Sequence, residues 1–455
     1  MNYNDEIKNM VEKSKIALQQ LEDCTQAQAD NMCRVIAKAV AGEARKLAEM
    51  AVKETGMGNV EDKVLKNSNI GDGIWTTMKN QKSVGIIRED EELGLTYVAK
   101  PKGVIGCVTP TTNPSLTSLG NAMLALKGRN TVIIAPHPRA KNVTEYTVDL
   151  MNKALKSIGA PENVIQIITE PSIEKTKELM STVDVVVATG GMAMVKSAYS
   201  SGKPAFGVGQ GNVQVIVGDD CNDYDKVARD IIMSRSFDNG IICAGDQCAI
   251  VHKDCEQLLV DALVRNGAYY SDKSDVIEKF KSVIFEDGHT AKEAVGKPIL
   301  EVAEKAGVKI PEETRIVVLK AFRHGAEEPL CSEKMCPVLT LLTYDDFEEA
   351  VEIARTNLLF QGAGHTAVLH SNNKEYIEYA SLRIPVCRLL VNVPGIASTG
   401  IGMMANIKPT PSIGCGSWGN NSISENLTYE HLINVSVIAL PSKNKAQTSE
   451  EIWAD

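Results

Sequence analysis

The stretch Val183-Asp184-Val185-Val186-Val187-Ala188-Thr189-Gly190-Gly191 places a short run of β-branched residues directly before two glycines. The run predicts a buried strand, and the glycines predict a tight turn into a helix that extends to about Tyr199. Backbone N–H groups at such a helix start can bind an anion such as a pyrophosphate. The motif is weak, because it lacks the GxGxxG spacing and a glycine-lined turn can be geometry alone.

The residues before this stretch repeat the same alternation of strand and helix. Short apolar runs alternate with amphipathic runs, at 104–108, 119–127, 131–134, 144–157, 164–168 and 173–180. Such alternation predicts right-handed crossovers and a parallel sheet covered on both faces. A second α/β unit is expected from about 237 to 420. The sequence therefore predicts an α/β fold with a Rossmann-like nucleotide-binding domain and a second α/β domain.

Residues 84–99 break this alternation. Apolar residues in alternate positions flank the acidic turn Glu89-Asp90-Glu91-Glu92, which predicts a β-hairpin. A ribbon that projects from an α/β chain is more often an oligomerisation arm than a part of the core.

The composition bounds the class of protein. The chain has 455 residues, 44% hydrophobic and 23% charged, which is typical of a globular protein with two or three domains. Its net charge of −10 argues against nucleic-acid and anionic-membrane partners. No apolar N-terminal segment or membrane-length apolar run is present. The 11 cysteines are scattered, without a CxxC pair, so we expect a reducing cytoplasm and no metal site.

Cys243 stands out among these cysteines. The turn signal Asp238-Asn239-Gly240 precedes it, and the apolar run Ala249-Ile250-Val251 follows. The thiol is therefore expected on a loop that leads into a strand, where it can face a cleft. The alternative is a small buried apolar residue, which is the usual role of a free cysteine.

Two further loops are expected at the carboxyl edge of the sheet, where open α/β sheets bind ligands. In Pro110-Thr111-Thr112-Asn113-Pro114, the Asn113 amide is a candidate oxyanion donor, although the residues alone favour an Asn-Pro turn. Ala135-Pro136-His137-Pro138-Arg139-Ala140-Lys141 brings basic groups to the same edge, either for a nucleotide ribose and phosphate or as a solvated loop.

Taken in order, these stretches resemble the aldehyde dehydrogenase superfamily over essentially the whole chain. The resemblance is to its CoA-acylating branch, which includes acylating succinate-semialdehyde dehydrogenases and the acetaldehyde dehydrogenase half of bifunctional alcohol/aldehyde dehydrogenases. The matching stretches are 110–114, 135–138, 188–191, 199–205, 237–243, 333–337, 362–366 and 414–427.

The resemblance implies the roles of the catalytic residues. Cys243 is the nucleophile that forms a thiohemiacetal and then a thioester. The Asn113 side chain and the Cys243 backbone N–H hold the oxyanion. His365 either helps to deprotonate the incoming thiol, stabilises the oxyanion, or makes a structural hydrogen bond.

The resemblance also implies NAD or NADP as cofactor and coenzyme A as co-substrate. The implied cofactor-binding residues are Thr109, Pro110, Thr111, His137, Pro138, Arg139, Gly190, Gly191, Gly207, Gly209 and Glu333. Glu333 is expected to hold the nicotinamide ribose, while Arg139 and Lys141 are placed to meet the 2′-phosphate of NADP. The choice between the two dinucleotides stays open.

The domain organisation follows from the same resemblance. It implies an NAD(P)-binding domain at 1–83 and 101–236, a catalytic domain at 237–425, an oligomerisation ribbon at 84–100 and 426–442, and a tail at 443–455. It also implies a homodimer or homotetramer that uses the ribbon and the strand near Ile433 to Ile438.

The chain departs from the family at informative positions. Members that release a carboxylic acid carry a glutamate as general base for water where this chain has Gly207. A thiol, with a pKa of ~8.5, can attack the thioester in place of water, so we expect coenzyme A as acyl acceptor. A hydrolytic enzyme, an acyl-phosphate reductase and a non-catalytic assembly protein are the alternatives.

The substrate is less constrained. Close relatives carry a serine beside the nucleophile where this chain reads Cys243-Ala244-Gly245-Asp246-Gln247, and the loop 398–405 also differs. Succinate semialdehyde, sulfoacetaldehyde and acetaldehyde remain open as substrates.

Overall fold

A computed structural model describes residues 3–441 and 447–454. It contains two parallel sheets and an antiparallel ribbon, with helices packed around the sheets. The predicted tail lies partly outside the described residues. Its described part holds the short helix Ser449–Ile452, which leaves Ile452 and Trp453 exposed to solvent.

The first sheet has five parallel strands. In spatial order these are Ile165–Ile167, Thr131–Ala135, Val104–Val108, Val185–Thr189 and Ala205–Val208. Alternate residues of a strand face opposite sides. Ile105 and Cys107 therefore pack in one apolar core, whereas Val104 and Val108 pack in another. The parallel sheet expected from the strand–helix alternation is confirmed.

Helices cover both faces of this sheet. Those in the same core as Ile105 are Gln26–Gly42, Ala44–Thr55, Val60–Met78, Pro114–Lys127 and Lys141–Ser157. Those on the side of Val104 are Tyr3–Gln20, Ile173–Thr182 and Met192–Tyr199. The N-terminal helices thus pack on the faces of the first sheet.

The second sheet has seven parallel strands. In spatial order these are Ala268–Ser271, Ile316–Lys320, Val338–Tyr344, Asp246–His252, Val213–Val217, Ala367–His370 and Leu389–Val391. Its helices are Tyr224–Ser236, Glu256–Arg265, Ser274–Ile284, Ile299–Lys305, Phe347–Phe360 and Lys374–Arg383.

The boundary between the two sheets differs from the expected one at 236/237. Val213–Val217 pairs on both sides with strands of the second sheet, Asp246–His252 and Ala367–His370. The helix Tyr224–Ser236 packs in the same core through Val227 and Ile231. The chain therefore leaves the first sheet after Val208, because sheet membership depends on long-range pairing and not on the local pattern.

The ribbon consists of three antiparallel strands. Gly85–Asp90 pairs with Leu95–Pro101, which confirms the predicted hairpin, and Ile433–Ala439 pairs with the second strand. Val435, Val437 and Ile438 are exposed on the outer strand. A separate two-stranded pair joins Phe285–Glu286 to His289–Thr290. Within the described ranges, helices that combine the length and hydropathy needed to cross a bilayer are absent.

Candidate active site

The turn before Cys243 has an unusual backbone. Asp238 and Asn239 both adopt the left-handed conformation, with φ of 50° and 52°, which aspartate and asparagine tolerate better than other non-glycine residues. The Asn239 side chain donates hydrogen bonds to the carbonyls of Gly58 and Gly296, each at 3.0 Å. Distant segments therefore hold this turn in place, and the turn fixes the start of the loop that carries Cys243.

Asp238 is fully buried within a cluster of polar groups from the helix Val60–Met78. Its carboxylate accepts hydrogen bonds from Lys63 Nζ at 2.9 Å and from Lys66 Nζ at 2.5 Å. Burial alone would raise the pKa of Asp238, but Lys66 and Lys63 outweigh it and hold the pKa below its usual range. Burial lowers the pKa of Lys63 to about 8, against the attraction of Asp238.

The same cluster reaches Asn113. Lys66 Nζ donates to Asn113 Oδ1 at 2.7 Å, and Lys63 Nζ donates to the carbonyl of Thr112 at 3.1 Å. Asn113 Nδ2 donates to Thr112 Oγ1 at 3.2 Å. Asn113 stands at the start of the helix Pro114–Lys127, where its side chain makes no capping bond. Its side chain is therefore held by Lys66 and Thr112 instead of by the helix.

Cys243 and Asn113 line one cavity of about 350 Å³. Most of its wall is apolar, formed by Leu116, Met233, Phe237, Ile242, Ile396, Ile401, Met404, Ile413 and neighbouring residues. The loop 398–405 contributes Thr399, Ile401, Gly402 and Met404, so it does shape the pocket. Charged side chains on the wall are Asp62, Lys66 and Arg315. A mainly apolar cavity with few polar groups is typical of a small-molecule site.

The Cys243 thiol is protonated at neutral pH in this structure. Burial raises its pKa to about 12, and the carboxyl group of Glu333 adds to this effect, whereas Lys66 opposes it. The thiolate fraction at neutral pH is therefore small, and a proton acceptor or added positive charge would increase it. The geometry therefore provides a nucleophile that needs activation.

Glu333 lies in the same buried region. Its carboxyl group forms hydrogen bonds with the Gln210 side chain and the Gly211 backbone, and burial raises its pKa to about 7. Its backbone N–H donates to Gln361 Oε1 at 2.7 Å, and its carbonyl accepts from Thr290 Oγ1 at 2.8 Å. Glu333 is therefore held in place beside residues 209–212, the segment that links the two sheets.

That linking segment runs directly against the cysteine. A β-carbon on Gly211 would overlap the carbonyl oxygen of Cys243. Only glycine permits this approach. The end of the first sheet and the cysteine loop of the second are thereby brought into contact.

The predicted cofactor residues follow the ends of neighbouring strands. Thr109, Pro110 and Thr111 follow Val104–Val108, and His137, Pro138 and Arg139 follow Thr131–Ala135. Gly190 and Gly191 follow Val185–Thr189, while Gly207 and Gly209 lie at the end of Ala205–Val208. Because the strands are parallel, all these residues meet at one edge of the sheet. Glu333 reaches this edge through Gln210 and Gly211.

Comparison with known proteins agrees with this geometry. Residues 2–271 match the model of the aldehyde dehydrogenase family. The succinate-semialdehyde dehydrogenase (acetylating) of Clostridium kluyveri is 52% identical over 449 residues, covering 98% of both chains. The chain belongs to the aldehyde dehydrogenase family. An acetylating aldehyde dehydrogenase from Geobacillus thermoglucosidasius has a TM-score of 0.94 at 38% identity, with 98% of both chains covered.

A second solved member of the family carries ligands. It is the Rhodopseudomonas palustris propionaldehyde dehydrogenase with bound CoA and an acylated cysteine. Its TM-score is 0.87 at 29% identity, covering 95% of this chain and 97% of that chain.

The position of the hydrolytic glutamate in this family is closed by neighbouring side chains here. A β-carbon on Gly207 would lie 2.7 Å from Val195 Cγ1 and 2.8 Å from Tyr199 Cε2. The Tyr199 hydroxyl accepts from the backbone N–H groups of Gly207 at 2.9 Å and Ser422 at 3.1 Å. A glutamate at 207 would have to displace this tyrosine, so the substitution does not simply restore a base.

His365 is buried and is not among the residues that line the cavity. Its Nδ1 lies 3.0 Å from Thr366 Oγ1, and its Nε2 has no hydrogen-bond partner in the ranges 3–441 and 447–454. Burial and then Arg388 lower its pKa to about 3. The imidazole is therefore neutral and a weak base at neutral pH, and the role of His365 stays a prediction.

Several residues of the site carry no local motif. Lys63, Lys66 and Asp238 are all buried, although the helix pattern and the turn signal alone suggest exposed side chains. The signal that could have found the lysines is their spacing, since Lys63 and Lys66 share a helix face with the buried Ile70 and Ile74.

Arg235 is another buried residue of the site that carries no local motif. It is fully buried and donates to the carbonyls of Asp246, at 3.1 Å, and Gly240. Asp246 Oδ1 in turn accepts from the Gly395 N–H at 3.0 Å. These bonds fix both ends of the cysteine loop and turn Asp246 toward the backbone instead of the cavity.

Proposed function

We propose that this protein is a CoA-acylating aldehyde dehydrogenase, which interconverts a short-chain aldehyde plus coenzyme A with the acyl-CoA, using NAD or NADP. The observation that carries the proposal is the placement of Cys243 and the fixed amide of Asn113 on one cavity, beside the strand ends that suit a dinucleotide. The relatives named as acetylating enzymes support the same reaction class.

The dinucleotide fits the edge of the five-stranded sheet. Gly191 opens the helix Met192–Tyr199 without a side-chain cap, and apart from its own residue and its chain neighbours no described atom lies within 4 Å of a β-carbon placed there. The free backbone N–H groups and open space suit a pyrophosphate. Thr109 Oγ1 is buried without a hydrogen-bond partner in the described part of the chain, which leaves it free for a ligand. A bound nicotinamide dinucleotide supplies the hydride acceptor.

The chain's own groups account for the covalent steps. The Cys243 sulfur adds to the aldehyde carbon, and the carbonyl oxygen becomes an oxyanion that Asn113 Nδ2 and the Cys243 N–H stabilise. The thiol proton leaves to a base, and the carbon then loses hydride, which leaves a thioester on Cys243. The sulfur of coenzyme A attacks that thioester, so the acyl group moves to coenzyme A and the Cys243 thiol is restored.

Coenzyme A is favoured over water as acyl acceptor for two reasons. The position of the hydrolytic glutamate is filled by Gly207 against Tyr199 and Val195. The related Rhodopseudomonas structure carries CoA together with an acylated cysteine.

One observation favours hydrolysis as a second candidate. The Glu333 carboxyl group is close enough to Cys243 to raise the pKa of the thiol, and its own pKa of about 7 suits a general base for water. The rate of NAD(P)H formation with and without coenzyme A separates the two candidates. Strict dependence on coenzyme A supports acyl transfer, and an undiminished rate without it supports hydrolysis.

The charges on the cavity wall favour an anionic aldehyde. The positive charges of Lys66 and Lys63 are balanced by the negative charges of Asp238 and Asp62 in the same cluster. Arg315 donates to Ser236 Oγ at 3.1 Å and lines the cavity, where its side chain is exposed. Its positive charge suits the distal carboxylate of succinate semialdehyde or the sulfonate of sulfoacetaldehyde more than acetaldehyde.

A substrate panel in the reductive direction tests this choice. Succinyl-, sulfoacetyl-, acetyl-, propionyl- and butyryl-CoA are each supplied with NADH and with NADPH. We expect the highest kcat/KM with an anionic acyl group, and equal or higher values with acetyl-CoA would contradict the role of Arg315.

We also propose a homodimer or homotetramer built through the ribbon 84–100 and 426–442. The exposed apolar residues Val435, Val437 and Ile438 on its outer strand support this role. A cytoplasmic location is supported by the cysteines, since all 11 lie in the described residues and are unpaired. Light scattering of the purified protein tests the oligomeric state.

A further inference from the structure

Lys66 occupies a central place between the proposed nucleophile and the proposed oxyanion donor. It lines the cavity of Cys243 and yet is almost fully buried. Its ammonium group donates to Asn113 Oδ1 at 2.7 Å and to Asp238 Oδ2 at 2.5 Å. Asp238 lies in the turn that leads to Cys243, so Lys66 joins the two arms of the site.

We propose that Lys66 is a positioning residue that orients the Asn113 amide for the oxyanion. This inference rests on the proposed function and deepens it. An ammonium group only donates hydrogen bonds, so the Asn113 atom that meets it must be the carbonyl oxygen. The Asn113 nitrogen then lies on the opposite side of the amide. One of its N–H bonds goes to Thr112 Oγ1 and the second remains for the substrate oxygen.

Asp238 keeps Lys66 in place. A long lysine side chain on a cavity wall would otherwise have many rotamers. The Asp238 carboxylate is itself held by Lys63 Nζ at 2.9 Å and by the Asn59 N–H at 2.9 Å. The turn that presents Cys243 therefore also fixes the lysine that fixes Asn113, which couples the positions of nucleophile and oxyanion donor.

Lys66 also adds positive charge where negative charge develops. Its charge opposes the effects of burial and Glu333 on the pKa of the Cys243 thiol. The other groups that face this thiol electrostatically are Cys415 and Arg388. Loss of the ammonium group should therefore slow every reaction of the thiolate, including alkylation in the absence of substrate.

Lys63 provides a matched control. It lies on the same helix, is equally buried and donates to the same carboxylate of Asp238. Its second partner is the Thr112 carbonyl instead of Asn113. Lys63→Met and Lys66→Met each remove one cation from Asp238. Lys66→Met also removes the contact with Asn113, which Lys63→Met leaves in place.

A double-mutant cycle tests the inference. The variants are Lys66→Met, Lys63→Met, Asn113→Ala and the Lys66→Met/Asn113→Ala double variant, compared by kcat/KM for aldehyde oxidation. We expect Lys66→Met to lose about 10²-fold, close to the loss from Asn113→Ala, and Lys63→Met to lose less than about tenfold. In the Asn113→Ala background, Lys66→Met should cost no more than about threefold further.

Equal losses for Lys66→Met and Lys63→Met, or multiplicative losses in the cycle, would overturn the inference. Thermal unfolding midpoints within a few degrees of each other show that both lysine variants fold. If Lys66→Met does not fold, Lys66→Gln, which removes the charge but keeps a polar group beside Asp238, is compared with Lys63→Gln in the alkylation assay instead.

A second readout needs no turnover. Iodoacetamide should alkylate Cys243 more slowly in Lys66→Met than in Lys63→Met at pH 8, and equal rates would contradict the charge effect. The wild-type dependence on coenzyme A tests the proposed function separately, because the comparison of the two lysine variants holds for either acyl acceptor.

Discussion

Burial and the carboxyl group of Glu333 together raise the pKa of the Cys243 thiol to about 12, so these two residues form one electrostatic unit. Glu333 itself has a pKa raised to about 7 by burial. The resemblance to the family assigned Glu333 to the nicotinamide ribose alone. The structure adds that this acid also raises the pKa of the nucleophile, after burial.

Glu333→Gln should therefore make Cys243 more reactive in the absence of ligands. Removal of a neighbouring negative charge lowers the thiol pKa and increases the thiolate fraction at any pH below that pKa. We expect alkylation by iodoacetamide at pH 8 to accelerate by about tenfold, since one pKa unit changes the thiolate fraction tenfold. The rate is followed by mass spectrometry of the peptide that contains Cys243.

Glu328→Gln is the matched control for that variant. Glu328 is also a buried glutamate close in sequence, but it pairs with Lys281 and does not act on Cys243. Its alkylation rate should equal that of the wild type. A rate in Glu333→Gln that is unchanged or slower would refute the coupling.

The wild-type pH profile of alkylation should rise without a plateau. Since the thiol pKa lies near 12, the thiolate fraction increases about tenfold for each pH unit between 7 and 9. Groups that face the thiol are Glu333, Cys415, Lys66 and Arg388. A plateau below pH 8 in the ligand-free protein would mean that the thiol is already activated, contrary to this structure.

Gly211→Ala should damage the site directly. The added methyl group would overlap the carbonyl oxygen of Cys243, so the linking segment or the cysteine loop must move. Overpacking of this kind costs about 1–3 kcal/mol and should lower the thermal unfolding midpoint and the activity together.

Gly42→Ala is the comparison for that substitution. Gly42 ends a helix, and apart from its chain neighbours and the backbone of that helix no described atom lies within 4 Å of a β-carbon placed there. It should leave the unfolding midpoint equal or slightly higher. A Gly211→Ala protein that behaves like Gly42→Ala would show that the two segments are less tightly apposed than described.

Arg315→Met should discriminate between substrates. Loss of the guanidinium should raise KM for an anionic acyl-CoA or aldehyde by about tenfold, because roughly one hydrogen bond to a charged group is lost. The KM for acetaldehyde should change by no more than about twofold. Arg355→Met, which removes an exposed arginine paired with Glu352, is the control. Equal effects on charged and uncharged substrates would exclude Arg315 as the anion-binding group.

The sequence predicts the parts of this architecture that depend on local pattern. The strand–helix alternation, the hairpin at 84–99 and the loop position of Cys243 all follow from periodicity and turn residues. The Lys63–Lys66–Asp238 cluster does not, because it joins residues 172 to 175 positions apart. Likewise, neither the direction of a side chain at 207 nor the sheet to which Val213–Val217 belongs is encoded locally.

The central claim is that the acyl group passes from Cys243 to coenzyme A, and intact-protein mass spectrometry tests it most directly. With aldehyde and NAD(P)+ but without coenzyme A, the wild type should accumulate one acyl group per chain, absent in Cys243→Ala, and coenzyme A should remove it within seconds as acyl-CoA. An acyl-enzyme that is lost equally fast to water, or that forms in Cys243→Ala, would contradict the account.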